Sequence, residues 1–231
     1  MSVKRVQVPG LGTVGLYRRR DSRALKITID HNDQIRVSMP SWLPYRKALE
    51  FAQSKRTWIE QHRNPGQLLK NGGAIGKAHR LEFVLKTDAT QVSQRLVSQT
   101  IRVSIPPHTP ITNPAVQAAA RRGATKALRQ ESEALLPIRL RQLAKQHSFV
   151  FSTVSVKQLR SRWGSCTDKQ HITLNLFLMQ LPWPLIDYVL LHELTHTKHL
   201  HHGPDFWSTL EACLPTSKIL RKQLRVYRPQ L

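Results

Sequence analysis

The chain has 231 residues with two cysteines, and it carries 36 lysines and arginines against 14 aspartates and glutamates. Its length allows one large domain or two small ones with a substantial core, and two cysteines without a paired motif exclude a disulfide framework and favour a reducing compartment. Because the N-terminus lacks an apolar stretch of signal-peptide length and no run reaches the roughly 20 apolar residues of a membrane span, we expect a soluble cytoplasmic protein without membrane attachment.

The formal net charge is +22. A surface with this excess of positive charge attracts polyanions, so nucleotides, nucleic acid and acidic proteins are candidate partners. A basic surface without a specific ligand explains the charge equally well, because charge sets solubility and encounter rates without naming a partner. Charge alone therefore predicts no function.

The N-terminal part reads as short strands over residues 13–19, 24–30 and 34–39, where apolar and polar residues alternate around a turn at residues 31–33. A helix is predicted from Pro44 to His62, because apolar side chains recur at helical spacing there until Asn64-Pro65-Gly66 ends the pattern. This order predicts a hairpin or meander followed by one helix.

Further strands are predicted over residues 80–86 and 100–105, and the proline-rich segment 106–110 is the best candidate for an internal boundary. The boundary divides the chain into a β-rich region over residues 1–110 and a catalytic region over residues 111–231, which could also form one compact domain together. No internal repeat stands out.

The second half begins with a long helix, predicted from Asn113 towards His147 because Asn113-Pro114 supplies an N-cap and a first-turn proline, with a kink at Pro137. Strands follow over residues 153–159 and 171–178. The remaining residues are predicted to be helical over 181–200 and 203–214, with basic residues at helical spacing near the C-terminus.

Residues 192–202 read HELTHTKHLHH, in which five of eleven residues are histidine. On a helix, His192 and His196 share one face and Glu193 lies beside them, which is the arrangement of a zinc site with its own general base. The alternative interpretation is a histidine-rich, solvated helix end without metal. The motif predicts a zinc-dependent hydrolase.

Zinc needs a third protein ligand and a free position for water. His199 lies about 10 Å along the helix axis from His192, too far to share one ion. The third ligand must therefore come from chain that turns back, and we favour His202 over Glu211. A metzincin would carry glycine where His199 stands, and Asp205 is either a partner of a ligand imidazole or a cap for the next helix.

Four segments together match a known pattern: RSRWGSC at residues 160–166, ITLN at 172–175, DYVLLHELTH at 187–196, and His202 with Phe206-Trp207. They resemble the YgjP-like metallopeptidase family, which is similar to the SprT and WLM groups of zincins. The upstream segments Arg23-Ala24, Lys55 to Ile59, and Gly76 with Arg80-Leu81 also match. One departure is His201-His202-Gly203-Pro204, where the family more often has Asn-His-Ser.

The resemblance implies that His192, His196 and His202 bind zinc and that Glu193 is the catalytic base. It also implies an α+β fold, in which a β-rich N-terminal part precedes a zincin-like helix-strand core with the HExxH motif on its active-site helix.

Two further candidates for contacts with substrate or with the groups around the metal are Arg162 in the RSRWGSC segment and Asn175 in the ITLN segment. For Trp163, Gly164 and Cys166 we favour plain structural roles, the first and last in the core and the glycine in a turn. Tyr188 precedes His192 by one turn and either reaches the site or packs in the core.

The leading functional hypothesis is a metallopeptidase that cleaves amide bonds through a zinc-activated water. One alternative is a metal-dependent nucleoside triphosphate pyrophosphatase, which the net charge and Arg160 and Arg162 would suit, although no glycine-rich phosphate loop is present. A second alternative is a DNA-associated SprT-like protease, supported by basic helix faces over residues 121–145 and 218–228.

Overall fold

A computed structural model describes residues 3–29, 35–62 and 68–231. The fold is α+β, as predicted, and it divides into two compact units, Met1–Gln67 and Leu68–Leu231. The boundary predicted at residues 106–110 falls within the second of these units. None of the helices in the described ranges is both long and apolar enough to cross a membrane.

The first unit contains a four-stranded sheet and two helices. Its elements are β1 (Val3–Val8), β2 (Gly12–Arg19), β3 (Lys26–Ile29), β4 (Ile35–Pro40), α1 (Tyr45–Ser54) and α2 (Arg56–His62). The strand order is β1-β2-β4-β3, with β2 and β4 parallel and the other two pairs antiparallel. Alternate residues of β4, Ile35, Val37 and Met39, are fully buried, as the strand period of two requires.

The segment predicted as one helix from Pro44 to His62 is divided at Lys55. The hydroxyl of Ser54 donates to the carbonyl oxygen of Phe51 at 2.9 Å, and such side-chain bonds compete with helical backbone bonding. Strand β1 is absent from the sequence predictions because only one of its six residues is buried. The turn predicted at residues 31–33 and the helix end at 64–66 lie outside the described residues.

The second unit begins with another four-stranded sheet. Its strands are β5 (Ala74–Ile75), β6 (His79–Leu85), β7 (Ser93–Val97) and β8 (Thr100–Ile105). Their order is β5-β6-β8-β7, with β6 and β8 parallel, so the sheet repeats the topology of the first. Residues 35–40 read IRVSMP and residues 101–106 read IRVSIP at the same place in the two sheets. The chain therefore contains a repeat of topology that the sequence analysis did not detect.

Helix α3 (Pro114–Gln146) follows this sheet and is continuous over 33 residues, including Pro137. The side chain of Asn113 accepts a hydrogen bond from the backbone nitrogen of Ala115 at 2.9 Å, which confirms the predicted N-cap. At Gly123 a Cβ atom would lie 2.5 Å from a methyl group of Ile101, so glycine allows the helix to approach the sheet closely. This packing explains why residues before and after 110 belong to one unit.

A three-stranded sheet and three helices complete the second unit. They are β9 (Thr153–Lys157), β10 (Gly164–Cys166), β11 (His171–Asn175), α4 (Trp183–Thr195), α5 (Pro204–Cys213) and α6 (Ser217–Leu224). The strand order is β10-β11-β9, which leaves β10 at an edge, where it packs against α4. The predicted strand over residues 171–178 is shorter, because the Asn175 side chain accepts from the backbone nitrogen of Phe177 and starts a short 3-10 helix.

The helix that carries the HELTH motif ends at Thr195, five residues earlier than predicted for residues 181–200. Threonine hydroxyls also bond to carbonyls of this last turn: that of Thr195 donates to Leu191 at 2.7 Å and that of Thr197 donates to Leu194 at 2.8 Å. Beyond this turn the chain turns back before α5 begins at Pro204.

Candidate metal centre

Three histidines converge at the end of α4. His192 and His196 lie one helical turn apart, and His202 comes from the connection to α5. One nitrogen atom from each ring lies within 4.8 Å of the others, and Nε2 of His192 is 3.1 Å from Nε2 of His202. Tetrahedral zinc with bonds of about 2.0–2.1 Å separates its ligand nitrogens by roughly 3.3 Å. The spacing of the three imidazoles therefore suits a single divalent ion.

Hydrogen bonds orient two of these rings. Nδ1 of His196 lies 3.0 Å from the carbonyl oxygen of His199, so it donates there and leaves the Nε2 lone pair for the centre. The indole nitrogen of Trp207 donates to the carbonyl oxygen of His202 at 3.0 Å and so holds the backbone that presents the third ring. The ring of Trp207 also stacks on His202, with centroids 5.6 Å apart.

A buried phenylalanine supports all three imidazoles. Phe206 is completely buried, and its ring centroid lies 4.6 to 4.9 Å from the centroids of His192, His196 and His202. An apolar contact of this kind fixes the ring positions and excludes water from their inner side. The sequence analysis quoted Phe206 and Trp207 only as part of the family pattern and assigned them no role.

His192 and His196 favour the neutral form in this environment. Burial, together with the neighbouring His196 and His202, lowers the pKa of His192 to about 3. Burial also lowers the pKa of His196. A metal ion needs the deprotonated imidazole as its ligand, so little proton competition opposes binding near neutral pH. Nδ1 of His192 is buried and has no hydrogen-bond partner among the described residues.

Glu193 is the most unusual group of the site. Its side chain is buried, with 5% of the residue exposed, and Oε2 finds no hydrogen-bond partner in the described ranges. Burial raises the pKa of this carboxyl to about 8, against the opposing positive charge of Arg162. Buried polar groups are nearly always paired in proteins, and a perturbed carboxyl beside candidate metal ligands is typical of an active site.

Gly164 makes room for this carboxylate. A Cβ atom on Gly164 would lie 2.7 Å from Oε1 and 2.9 Å from the carboxyl carbon of Glu193. Glycine therefore lets β10 approach α4 closely at Glu193. Gly164 was expected in a turn, whereas it is the first residue of a strand, and an isolated glycine in a strand often marks such a close approach.

The other predicted ligand candidates point elsewhere. Nε2 of His199 lies 3.1 Å from the hydroxyl of Thr209, and the carboxylate of Glu211 pairs with Lys218 at 3.0 Å. Asp205 is exposed in the first turn of α5, where its charge complements the helix dipole, and Gly203 occupies the N-cap. None of these three belongs to the histidine cluster.

The two predicted substrate contacts are placed differently. Asn175 is completely buried, and its amide nitrogen donates to the carbonyl oxygens of Leu159 at 2.9 Å and of Arg162 at 2.8 Å. Its oxygen accepts from the backbone nitrogen of Phe177. The amide is thus used by the chain itself and holds the loop that carries Arg162. The side chain of Arg162 is exposed and acts electrostatically on Glu193.

Three further residues border the site. Trp163 and Cys166 are half-buried and pack on the core, as predicted, and burial raises the pKa of the Cys166 thiol to about 11. Tyr188 is buried, with its ring centroid 6.0 Å from that of His192. These positions describe packing around the site and leave the histidines and Glu193 as its polar centre.

Comparisons with known proteins give one family match and distant structural similarities. The family model described as YgjP-like, metallopeptidase domain, matches residues 23–227. Similar solved structures include the metallopeptidase zymogen abylysin of Pyrococcus abyssi, at 22% identity and a TM-score of 0.37, covering 42% of this chain and 100% of that one. The zymogen jannalysin of Methanocaldococcus jannaschii matches at 19% identity and a TM-score of 0.34, covering 39% and 91%. No curated protein matches the chain.

Proposed function

Because the chain belongs to the YgjP-like metallopeptidase family, we propose that it hydrolyses peptide bonds with a zinc ion bound by His192, His196 and His202. The observation that carries this proposal is the buried carboxylate of Glu193, whose Oε2 has no partner among the described residues, beside three converging imidazoles. A structural carboxylate would have its hydrogen bonds satisfied. A general base keeps an oxygen free for the proton that it transfers.

The donor set fits zinc. Three imidazole nitrogens are the ligands of hydrolytic zinc sites, which keep their fourth position for water, and hard oxygen-preferring ions favour carboxylates instead. A zinc ion bound by these histidines would polarise the scissile carbonyl and lower the pKa of a water molecule to about 7. The hydrogen bond from His196 to the carbonyl oxygen of His199 would hold that ligand in the required tautomer.

Glu193 has the properties of the proton carrier in this reaction. Its free Oε2 would accept a proton from the attacking water and then deliver it to the amine that leaves. Burial moves its pKa from the ordinary 4.5 to about 8, close to the pH at which proton transfer in both directions is efficient. Gly164 keeps the space in which the carboxylate lies.

The substrate would bind along strand β10. This strand pairs only with β11 and forms an edge of its sheet, next to the helix that carries Glu193. An extended peptide adds to such an edge through main-chain hydrogen bonds, which give affinity with little dependence on side chains. The scissile bond would then lie beside the histidines and the base.

The test is a cleavage assay of zinc-loaded protein on a peptide library, with products identified by mass spectrometry. We expect Glu193→Gln to retain zinc and to lose turnover by about 100- to 10,000-fold, the usual contribution of a general base. Equal turnover in this variant would contradict the assigned role. Nucleoside triphosphates assayed in parallel test the pyrophosphatase alternative, because hydrolysis of nucleotides without peptide cleavage would replace our proposal.

A further inference from the structure

A basic cleft lies beside the candidate metal centre. It has a volume of about 530 Å³ and forms between the loop that precedes β10 and the C-terminal segment from α6 onward. Four arginines line it, together with apolar side chains: Arg160, Arg221, Arg225, Arg228, Trp163 and Leu224. We call this feature the arginine cleft. No acidic residue lines it.

The four arginines have no internal counter-charge. None of them forms an ion pair in the part of the chain that the structure describes, whereas Arg139 in the same unit pairs with both oxygens of Asp187 at 2.8 and 2.6 Å. Several guanidinium groups around one concave surface repel each other and concentrate positive potential there. A bound anion would relieve this repulsion, so the cleft is suited to an acidic ligand.

The cleft adjoins the candidate metal centre on two sides. The guanidinium of Arg221 lies 4.4 Å from the centroid of Trp207, whose ring stacks on His202. On the other side, Trp163 directly precedes Gly164, the residue in contact with Glu193. A ligand chain that fills the arginine cleft therefore lies within a few residues of the histidines.

We propose that the arginine cleft binds carboxylates of the substrate, so that peptides with acidic groups near the scissile bond are preferred. This inference rests on the proposed peptidase function. Guanidinium groups bind carboxylates bidentately, and Trp163 and Leu224 offer apolar contact to the intervening methylene groups. The volume is that of a small-ligand site, which favours a few peptide residues over a DNA duplex that binds along an extended surface.

Binding is measured with zinc-loaded Glu193→Gln protein, so that turnover does not consume the ligand. The probes are fluorescently labelled short peptides with several consecutive glutamates or with glutamines in their place, each with a free or an amidated C-terminus. At low salt we expect the acidic peptide to bind at least about tenfold more tightly than the neutral one, a typical gain from charge-assisted pairs. Amidation separates the terminal carboxylate from the side-chain carboxylates as the source.

The matched variants change charge equally in two places. Arg225→Gln with Arg228→Gln should remove the preference for the acidic peptide. Arg122→Gln with Lys126→Gln, exposed on α3 and outside the cleft, should leave it within about twofold. The comparison separates the arginine cleft from the general positive field of the protein.

Three results would overturn the inference. The first two are equal binding of acidic and neutral peptides and no binding of either. The third is an oligonucleotide that binds more tightly than the acidic peptide and whose binding is weakened by the substitution of Arg225 and Arg228. These results are distinct from failure of the peptidase proposal, because binding is measured without catalysis. Peptide cleavage by the wild-type protein without acidic preference would leave the peptidase proposal intact and reject the arginine cleft.

Discussion

Two histidine-glutamate clusters with buried carboxylates lie in the second unit, and they differ in how their hydrogen bonds are used. The Glu131 carboxylate on α3 is surrounded by donors: it lies 2.5 Å from Nδ1 of His79 and accepts from the backbone nitrogens of Lys77 at 2.7 Å and Ala78 at 2.9 Å. The Glu193 carboxylate, equally buried, keeps Oε2 without a partner in the described chain. The first cluster satisfies its carboxylate within the fold, and the second leaves an oxygen free for the proton transfer that we propose.

The cluster around Glu131 also supports the active-site helix. Gly76 turns the chain with a φ of 67°, and a Cβ atom there would lie 2.1 Å from Oε2 of Glu131. The ammonium of the next residue, Lys77, donates to the carbonyl oxygen of Leu181, just before α4. The Glu131 cluster thus holds the chain just before α4, the helix that carries Glu193. We expect substitutions of Glu131 and of Glu193 to change the stability of the protein in opposite directions.

The largest effect is expected from the metal ligands. His202→Ala should release zinc, measured by metal analysis after gel filtration, and lower peptide turnover by about a thousandfold or more, because two remaining imidazoles hold the ion weakly. Glu211→Ala is the matched control, since this carboxylate pairs with Lys218. Zinc retained by the His202 variant and lost from the Glu211 variant would reverse the ligand assignment.

Glu131→Gln should destabilise the protein by roughly 2 to 4 kcal/mol in urea unfolding, because an amide cannot accept all the donors that now surround the carboxylate. Zinc binding by the folded protein should persist. Glu133→Gln on the exposed face of α3, where the carboxylate lies 3.7 Å from Arg129, provides a control with little expected change. Equal stability of the two variants would show that the Glu131 cluster does not stabilise the fold.

Gly164→Ala should lower kcat by about 10- to 100-fold with zinc retained, because the added methyl group displaces the Glu193 carboxylate and catalysis is sensitive to shifts of about 1 Å. Gly203→Ala is a close control, since a Cβ atom there meets nothing within 4 Å. Steady-state kinetics with metal analysis of both variants tests the assignment. Unchanged kcat in Gly164→Ala would leave the glycine without a role in positioning the base.

Glu193→Gln should stabilise the metal-free protein, the opposite of Glu131→Gln. The folded-state pKa of about 8 lies above the ordinary 4.5, so folding favours the neutral acid, and stability contributed by that form is lost as the pH rises between these values. The neutral amide avoids this loss. In thermal unfolding with a chelator, we expect a gain of roughly 3 to 5 kcal/mol at pH 8 and little difference near pH 4.5. Parallel pH profiles of variant and wild type would contradict it.

The sequence predicts the local part of the site well. Helical spacing places His192, His196 and Glu193 together, and the rise of the helix separates His199 from them. The choice between His202 and Glu211 depends on where the helix ends, and α4 ends at Thr195, five residues before the end of the predicted helix over residues 181–200. The sequence therefore only favours His202, whereas the structure places its Nε2 3.1 Å from Nε2 of His192.

Contacts between segments that are far apart in the sequence are harder to predict from it. Gly164 precedes Glu193 by 29 positions and His79 precedes Glu131 by 52, and neither pair belongs to a common helix or strand. Asn175 illustrates the same limit, because its pattern suits a ligand contact and only its partners show that it holds a loop. The edge strands β1 and β7 expose most of their residues and so lack the apolar alternation from which strands are predicted.

Because α4 ends early, the candidate metal ligands lie close together in the sequence. All three histidines, together with Phe206 and Trp207, lie within sixteen consecutive residues, 192–207. The proposed metal ligands therefore lie in one short contiguous segment with low contact order, whereas the contact between Gly164 and Glu193, the proposed base, needs long-range assembly. When the protein opens locally, the long-range arrangement is the more vulnerable of the two. Catalytic competence should accordingly be lost at milder perturbation than the capacity to hold the ion.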